Sequence, residues 1–138
     1  MGCTVPRKLF LNRGFTLAEL LVSVAILAYA ISGSMALFFY CFFTNEMNRN
    51  LTAATSHAQY IMEDIRNTTF SSISTNISGG TWDFNTAGVT AAGLSALNSE
   101  AIDTQVSGSN PLDVSVTVTW QDRRQRSRTK VLETLIGG

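Results

Sequence analysis

The sequence predicts an α+β fold in which one long N-terminal helix packs on a small antiparallel β-sheet. Residues 15–43 are almost continuously apolar and contain no proline, as in a helix long enough to span a bilayer. Residues 47–65 carry apolar side chains at helical spacing, and residues 112–136 alternate apolar and polar side chains as two strands do. These three patterns predict an apolar helix half, an amphipathic helix half and a β-hairpin.

Composition excludes several classes of protein. The chain has 138 residues, 14% of them charged, and a formal net charge of zero, which argues against a nucleic-acid-binding protein that works through its overall charge. Cys3 and Cys41 lie before and inside the apolar run, so no disulfide is predicted in the rest of the chain. His57 has no cysteine or histidine at ligand spacing, and we expect a surface or groove histidine rather than a metal ligand.

The reactive residue types do not form a recognisable site. The sequence shows no nucleophile, histidine and acid arrangement, no paired carboxylates and no glycine-rich phosphate loop. We therefore predict a structural, non-catalytic protein with no metal ion and no cofactor.

The apolar run predicts a membrane-inserted segment. Its 29 residues exceed the roughly 20 that a helix needs to cross a bilayer. Three basic residues and no acidic residue precede it: Arg7, Lys8 and Arg13. Positively charged flanks stay on the cytoplasmic side of a membrane, so the chain after the run is expected on the opposite side.

Two general interpretations of this run each leave one feature unexplained. A cleaved secretory signal fits the Ala-Tyr-Ala sequence at residues 28–30, but the run continues past that site as far as Phe43. A simple single-pass anchor fits the length and the basic flank. The single-pass anchor does not explain Glu19, a carboxylate whose insertion into an apolar membrane segment is energetically costly.

The start of the run resembles the class III signal of type IV pilins and of type II secretion pseudopilins. Residues 13–21 read RGFTLAELL, with a glycine before an aromatic residue, a basic leader in front and an apolar helix behind. The resemblance implies that a membrane aspartyl peptidase cuts between Gly14 and Phe15 on the cytoplasmic side and that Phe15 is then N-methylated. Residues 1–14 would be the cleaved leader. Ala18 departs from the larger apolar residue of many members.

Glu19 would be the fifth residue of the chain that this cut produces. Residues four apart share a helix face, so the new amine of Phe15 and the Glu19 carboxylate would lie on one face. The dipole favours an acid in the first helical turn. The family's assembly implies that the acid of an incoming subunit pairs with the N-terminal amine of its neighbour, since an unpaired carboxylate is expensive in apolar surroundings. The resemblance thus implies that Glu19 sets register and recruits subunits.

Residues 44–67 are predicted to continue the helix as its amphipathic half. We expect one nearly continuous helix from about residue 16 to residue 67, about 75–80 Å long. The expected buried stripe consists of Met47, Leu51, Ala54, Ala58, Ile61 and Ile65. It covers fewer than three heptads, which favours packing on the C-terminal strands over an isolated coiled coil.

Residues 68–110 show no sustained periodicity and are interpreted as a variable loop between helix and sheet. Trp82 and Phe84 lie two apart, as on one face of a short strand, and a structural role in the core is favoured over ligand stacking for both. A short helix is expected within residues 91–102. Pilins carry an exposed variable loop in the corresponding region.

Residues 111–138 are predicted to form the β-hairpin. Val114, Val116, Val118 and Trp120 alternate with hydroxyl side chains, as in a half-buried strand. This segment resembles the C-terminal end of PilV-type minor pilins and of the related I-type minor pseudopilins of type II secretion.

Five basic residues cluster at the predicted turn of the hairpin: Arg123, Arg124, Arg126, Arg128 and Lys130. Contact with DNA is one interpretation, because some minor pilins assist DNA uptake. A solvated hairpin tip or a salt-bridge surface between subunits is the other, and we favour it. Nucleic acid is therefore not an expected partner.

The resemblance implies a minor pilin that primes or decorates a type IV pilus, anchored in the bacterial inner membrane with a cytoplasmic N-terminus. Residues 1–14 would be the leader, residues 15–43 the membrane and filament-core half of the helix, and residues 44–138 the periplasmic or extracellular head. Its partners would be other pilins or pseudopilins, membrane lipid, and the prepilin peptidase that also methylates. The alternatives are a minor pseudopilin, a DNA-uptake pilin and a single-pass membrane protein with a binding ectodomain.

Overall fold

The computed structural model describes residues 15–138. Along the chain its elements are α1 (Leu17–Arg66), α2 (Phe70–Ser78), β1 (Phe84–Asn85), α3 (Thr86–Ala91), β2 (Ala101–Gly108), β3 (Leu112–Gln121) and β4 (Ser127–Ile136). The predicted leader lies outside the described residues, and with it Cys3, Arg7, Lys8, Arg13 and Gly14. The described chain divides into a first unit that ends at Phe42 and a second unit, Phe43–Gly138.

The single long helix is confirmed. α1 has 50 residues and ends at Arg66. Thr16 is its N-cap: the backbone N–H of Glu19 donates to the Thr16 hydroxyl oxygen at 3.2 Å, and the N–H of Leu20 donates to the Thr16 carbonyl at 3.1 Å. The helix therefore begins two residues after Phe15.

The first unit presents its apolar side chains outward. Every large apolar residue from Phe15 to Phe42 is exposed, and α1 is the one helix in the described part of the chain that is long and apolar enough to cross a membrane. The hydroxyls of Ser23, Ser32 and Ser34 donate to backbone carbonyls four residues earlier, at 2.8–2.9 Å. These bonds satisfy the polar groups within the helix itself.

The second unit is built around a four-stranded antiparallel sheet in the order β1-β2-β3-β4. β3 and β4 form the hairpin that the alternation predicts, with Gln121 opposite Ser127 at the turn. On β3 the buried side chains are Leu112, Val114, Val116, Val118 and Trp120. This face of β3 forms one side of the hydrophobic core.

The amphipathic half of α1 contributes its stripe to the same core, but over a shorter length than predicted. Ala54, Ala58, Ile61 and Ile65 are fully buried. The prediction is wrong for the start of the stripe, since Met47 is 48% exposed and Leu51 is 43% exposed. The groove that borders this part of the helix is lined by the neighbouring Glu46, Arg49 and Asn50.

Residues 68–110, interpreted from the sequence as a loop, instead contain α2, β1, α3 and β2. Ile73 and Ile77 bury one face of α2 in the core, a spacing of four that is too short to stand out as a pattern. The short helix expected within residues 91–102 is wrong: α3 ends at Ala91, and β2 begins at Ala101.

Two carboxylates hold this segment in place, one from α1 and one from within the segment itself. The indole Nε1 of Trp82 donates to Oδ2 of Asp64 on α1 at 2.6 Å. Oδ1 of Asp83 accepts from the backbone N–H and the hydroxyl of Thr104 on β2, both at 2.9 Å. Trp82 is also buried in the core, which confirms its structural role.

A third carboxylate holds His57, which lines a groove, as one of the two expected placements has it, but is buried rather than on the surface. The Nδ1 of His57 lies 2.7 Å from Oε1 of Glu100. Oε2 of Glu100 accepts from the backbone N–H of Leu97 at 2.6 Å, and the Glu100 side chain is 0% exposed. The pair joins α1 to the residue just before β2. Among residues 15–138 no three His, Cys, Asp or Glu side chains come together as a metal site would require.

We expect the His57–Glu100 pair to be a major contributor to the stability of the second unit. Glu100→Leu and His57→Leu should each lower the free energy of unfolding by about 3 kcal/mol, because each leaves a buried partner unsatisfied. The double variant should lose clearly less than the sum. Urea unfolding in detergent, followed by the fluorescence of the buried Trp82 and Trp120, measures these changes.

The matched control is Glu63→Leu, which replaces an exposed carboxylate on the same helix and should change stability by less than about 0.5 kcal/mol. Strictly additive losses in the double variant would show that the two side chains do not stabilise each other.

Candidate functional site

The first candidate site is the N-terminal segment at residues 15–19. Phe15 and Thr16 are not helical, and Phe15 is exposed. Glu19 lies in the first turn of α1 and is also exposed. Its carboxylate has no hydrogen-bond or ion-pair partner within residues 15–138. The structure thus places Phe15 and Glu19 around one helix start, whereas Gly14 lies outside the described residues.

Thr16 and Glu19 have the spacing of a capping box, a signal that could have been found in the sequence, but only the bond to the Thr16 hydroxyl forms and the Glu19 carboxylate makes no return bond. The box is a Ser or Thr N-cap followed three residues later by Glu or Gln, and here the Thr16 hydroxyl oxygen accepts from the Glu19 backbone N–H. The same spacing could have identified the helix start from the sequence. It fixes where the helix begins relative to Phe15, and it leaves the Glu19 carboxylate at the positive end of the helix dipole.

The second candidate site is the β3–β4 turn, and Asp122 organises it. Its Oδ1 accepts from the backbone N–H groups of Arg124 and Arg126 at 2.9 and 3.0 Å. Its Oδ2 accepts from Nε of Arg126 at 3.0 Å and from Nε of Arg128 at 3.4 Å. These bonds, led by the backbone N–H of Arg126, hold the pKa of Asp122 below its usual value. Gln125 takes a positive φ of 56° at the tip of the turn.

The remaining two arginines of the predicted basic cluster contact α1. Nη1 of Arg123 lies 3.6 Å from Oε2 of Glu46, with both side chains exposed, so this ion pair adds little stability. The guanidinium carbon of Arg124 lies 5.1 Å from the ring centroid of Phe43, in cation–π range. The turn is therefore held against α1 at the level of Phe43 and Glu46.

A groove of about 790 Å³ lies beside this turn, between α1 and residues 94–98. Its walls mix polar and apolar side chains, with Arg49 and Asn50 on the helix side and Asn98 and Gln121 opposite, beside the apolar Leu94 and Leu97. Most ligand pockets for small molecules are largely apolar, and this groove is not. His57 lines this groove together with Ser56 and Ser95, and the hydrogen bond of its Nδ1 is to Glu100 rather than to either hydroxyl.

Comparison with known proteins gives one match, and it covers the first candidate site. The family described as the prokaryotic N-terminal methylation motif matches residues 10–35. The matched segment contains Gly14, Phe15, Glu19 and the first part of the exposed apolar helix. No curated protein and no solved structure gives a significant match to the chain. The motif supports a pilin- or pseudopilin-type protein whose N-terminal signal is of the kind that a prepilin peptidase processes.

Proposed function

We propose that this chain is the precursor of a minor pilin, a structural and non-catalytic subunit that takes part in assembling or priming a type IV pilus. The observation that carries the proposal is the N-terminal methylation motif at residues 10–35. Two structural features support it: the exposed apolar helix that follows the motif, and the α+β unit beyond it.

The proposed first step is removal of residues 1–14 by cleavage between Gly14 and Phe15, followed by N-methylation of Phe15. Helical backbone is a poor protease substrate because its amides are already paired, and α1 starts only at Leu17. The N-cap at Thr16 stops the helix before the bond to be cut. A glycine on the other side of that bond lets the peptidase approach closely.

The proposed second step is recruitment through Glu19. This carboxylate lies in the first helical turn, four residues after Phe15, and has no partner within residues 15–138. In the monomer the helix dipole stabilises it. Inside a bundle of apolar helices it would be costly without a positively charged partner. The amine of Phe15 on a neighbouring subunit supplies that partner at one axial register.

The proposed location follows from the same segment. Residues 15–43 would lie in the inner membrane and later in the filament core, with Arg7, Lys8 and Arg13 on the cytoplasmic side before cleavage. Residues 44–138 would form the head on the periplasmic side. A minor pseudopilin of a type II secretion system would share every one of these features, and it is the second candidate.

If the peptidase cuts between Gly14 and Phe15, Gly14→Val should prevent processing. A β-branched side chain next to the scissile bond should block the peptidase, so the variant should stay in the membrane as the uncut precursor. The matched control is Gly33→Val, at a position where an added Cβ meets nothing within 4 Å, and it should be processed like the unsubstituted chain.

Intact-mass spectrometry of protein recovered from membranes measures both outcomes. The unsubstituted chain should begin at a methylated Phe15. A chain that begins at Met1 in cells with an active peptidase, or one cut after residue 30, would refute the proposal.

If the Glu19 carboxylate recruits other subunits, Glu19→Leu should weaken their association with this chain. The variant should insert into the membrane at least as well, because a buried carboxylate has been removed, yet recover several-fold less of the other pilins on co-purification. Glu63→Leu makes the same change on the exposed face of α1 outside the apolar run and should recover them normally. Equal recovery with both variants would remove the role of Glu19. The identity of the recovered partners, pilus or secretion subunits, separates the two candidate functions.

A further inference from the structure

The β3–β4 turn lies at the level where the apolar run ends. The guanidinium of Arg124 stacks over Phe43, the last residue of that run, and Arg123 pairs with Glu46 one turn further along the helix. All four residues belong to the second unit. The tip of the hairpin therefore shares the environment of Phe43, whether that is water or lipid.

The length of the run indicates what surrounds Phe43. Its 29 residues give a helix of about 43 Å, which matches the roughly 40–45 Å of a bilayer with its headgroups. Five aromatic residues fall within its last six positions: Phe38, Phe39, Tyr40, Phe42 and Phe43. Aromatic residues concentrate at membrane–water interfaces. In a membrane that holds this run, Phe43 is at the level of the phospholipid headgroups.

The turn brings an excess of positive charge to that level. Arg123, Arg124 and Arg126 lie on the turn itself, and Arg128 and Lys130 follow on β4. The carboxylates that contact these residues are Asp122 and Glu46, which leaves an excess of one positive charge on the turn and of three when the start of β4 is included. The side chain of Arg123 is 77% exposed and that of Arg126 is 58% exposed. Arginine pairs well with phosphate because its planar guanidinium offers parallel N–H donors.

We infer that the β3–β4 turn binds anionic phospholipid headgroups on the outer face of the membrane that anchors this chain. The inference rests on the proposed function, since it requires residues 15–43 to be in a bilayer. The contact would fix the orientation of the head before assembly and would have to be released when the subunit enters a filament. Nucleic acid fits the same charges less well, because a duplex would have to approach a surface that faces the membrane.

The test uses the full chain in lipid vesicles, with Cys3→Ser and Cys41→Ser and a spin label at Ser127→Cys, an exposed position at the start of β4. The readout is the collision rate of the label with a neutral, water-soluble nickel chelate. We expect a rate several-fold lower in vesicles with one third phosphatidylglycerol than in pure phosphatidylcholine. High salt should reduce the difference, because it screens exposed charges.

The arginines should account for the lipid preference. Arg124→Gln should reduce the difference between the two kinds of vesicle, and Arg123→Gln with Arg124→Gln should abolish it. Arg66→Gln is the matched control, because it removes an exposed arginine from the last turn of α1, and it should leave the difference intact. Unchanged fluorescence of the buried tryptophans shows that each variant is folded.

Flotation of the vesicles separates failure of this inference from failure of the proposed function. A chain that floats with both kinds of vesicle but shows equal collision rates overturns lipid binding alone. A chain that does not float overturns the membrane anchor, and the inference with it. Arginine-dependent binding of duplex DNA without any lipid preference would assign the turn to nucleic acid and also overturn the inference.

Discussion

α1 is one continuous helix whose apolar first half and amphipathic second half require different environments, and the other features of the chain follow from this constraint. The large apolar side chains from Phe15 to Phe43 are exposed, whereas Ala54, Ala58, Ile61 and Ile65 on the same helix are fully buried. An exposed leucine or phenylalanine forgoes about 1.5–3 kcal/mol of burial energy. The first half of α1 therefore needs lipid or other helices around it, and the N-terminal methylation motif at residues 10–35 overlaps its start.

The second unit is small and stays folded through a few buried polar contacts as well as its core. Val114, Val116 and Val118 on β3 pack under the stripe of α1. Glu100 joins the chain before β2 to His57, and Asp64 holds Trp82. Asp122 performs a similar task at the hairpin tip, where four hydrogen bonds fix the turn. Each contact links segments that lie far apart in the chain or closes a turn.

The sequence predicts the parts of this structure whose patterns are long and regular. The extent of α1, the alternation of β3 and the exposed apolar half follow from periodicity and length alone. The N-cap at Thr16 could also have been recognised from the Thr-x-x-Glu spacing. The helix α2 and the strand β2 were missed because each buries only two or three side chains at its regular spacing.

Contacts between distant residues could not be predicted. The partner of His57, Glu100, lies 43 residues later in the chain, so no local sequence pattern predicts the pair. The basic cluster is visible in the sequence, but the partner of each arginine is not. Arg126 and Arg128 form ion pairs with Asp122, whereas Arg124 makes a cation–π contact with Phe43. Met47 and Leu51 continue the helical spacing, yet they remain about half exposed, so the spacing alone does not show where the buried stripe begins.

The central claim is that the apolar half of α1 is embedded while the amphipathic half is outside the membrane. The most direct measurement compares two single-cysteine variants in intact membranes, Ala28→Cys and Asn67→Cys, each with Cys3→Ser and Cys41→Ser. Both positions are exposed in the isolated chain. A membrane-impermeant maleimide should label position 67 rapidly and position 28 only after denaturation in detergent. Equal labelling of both positions in intact membranes would contradict the account.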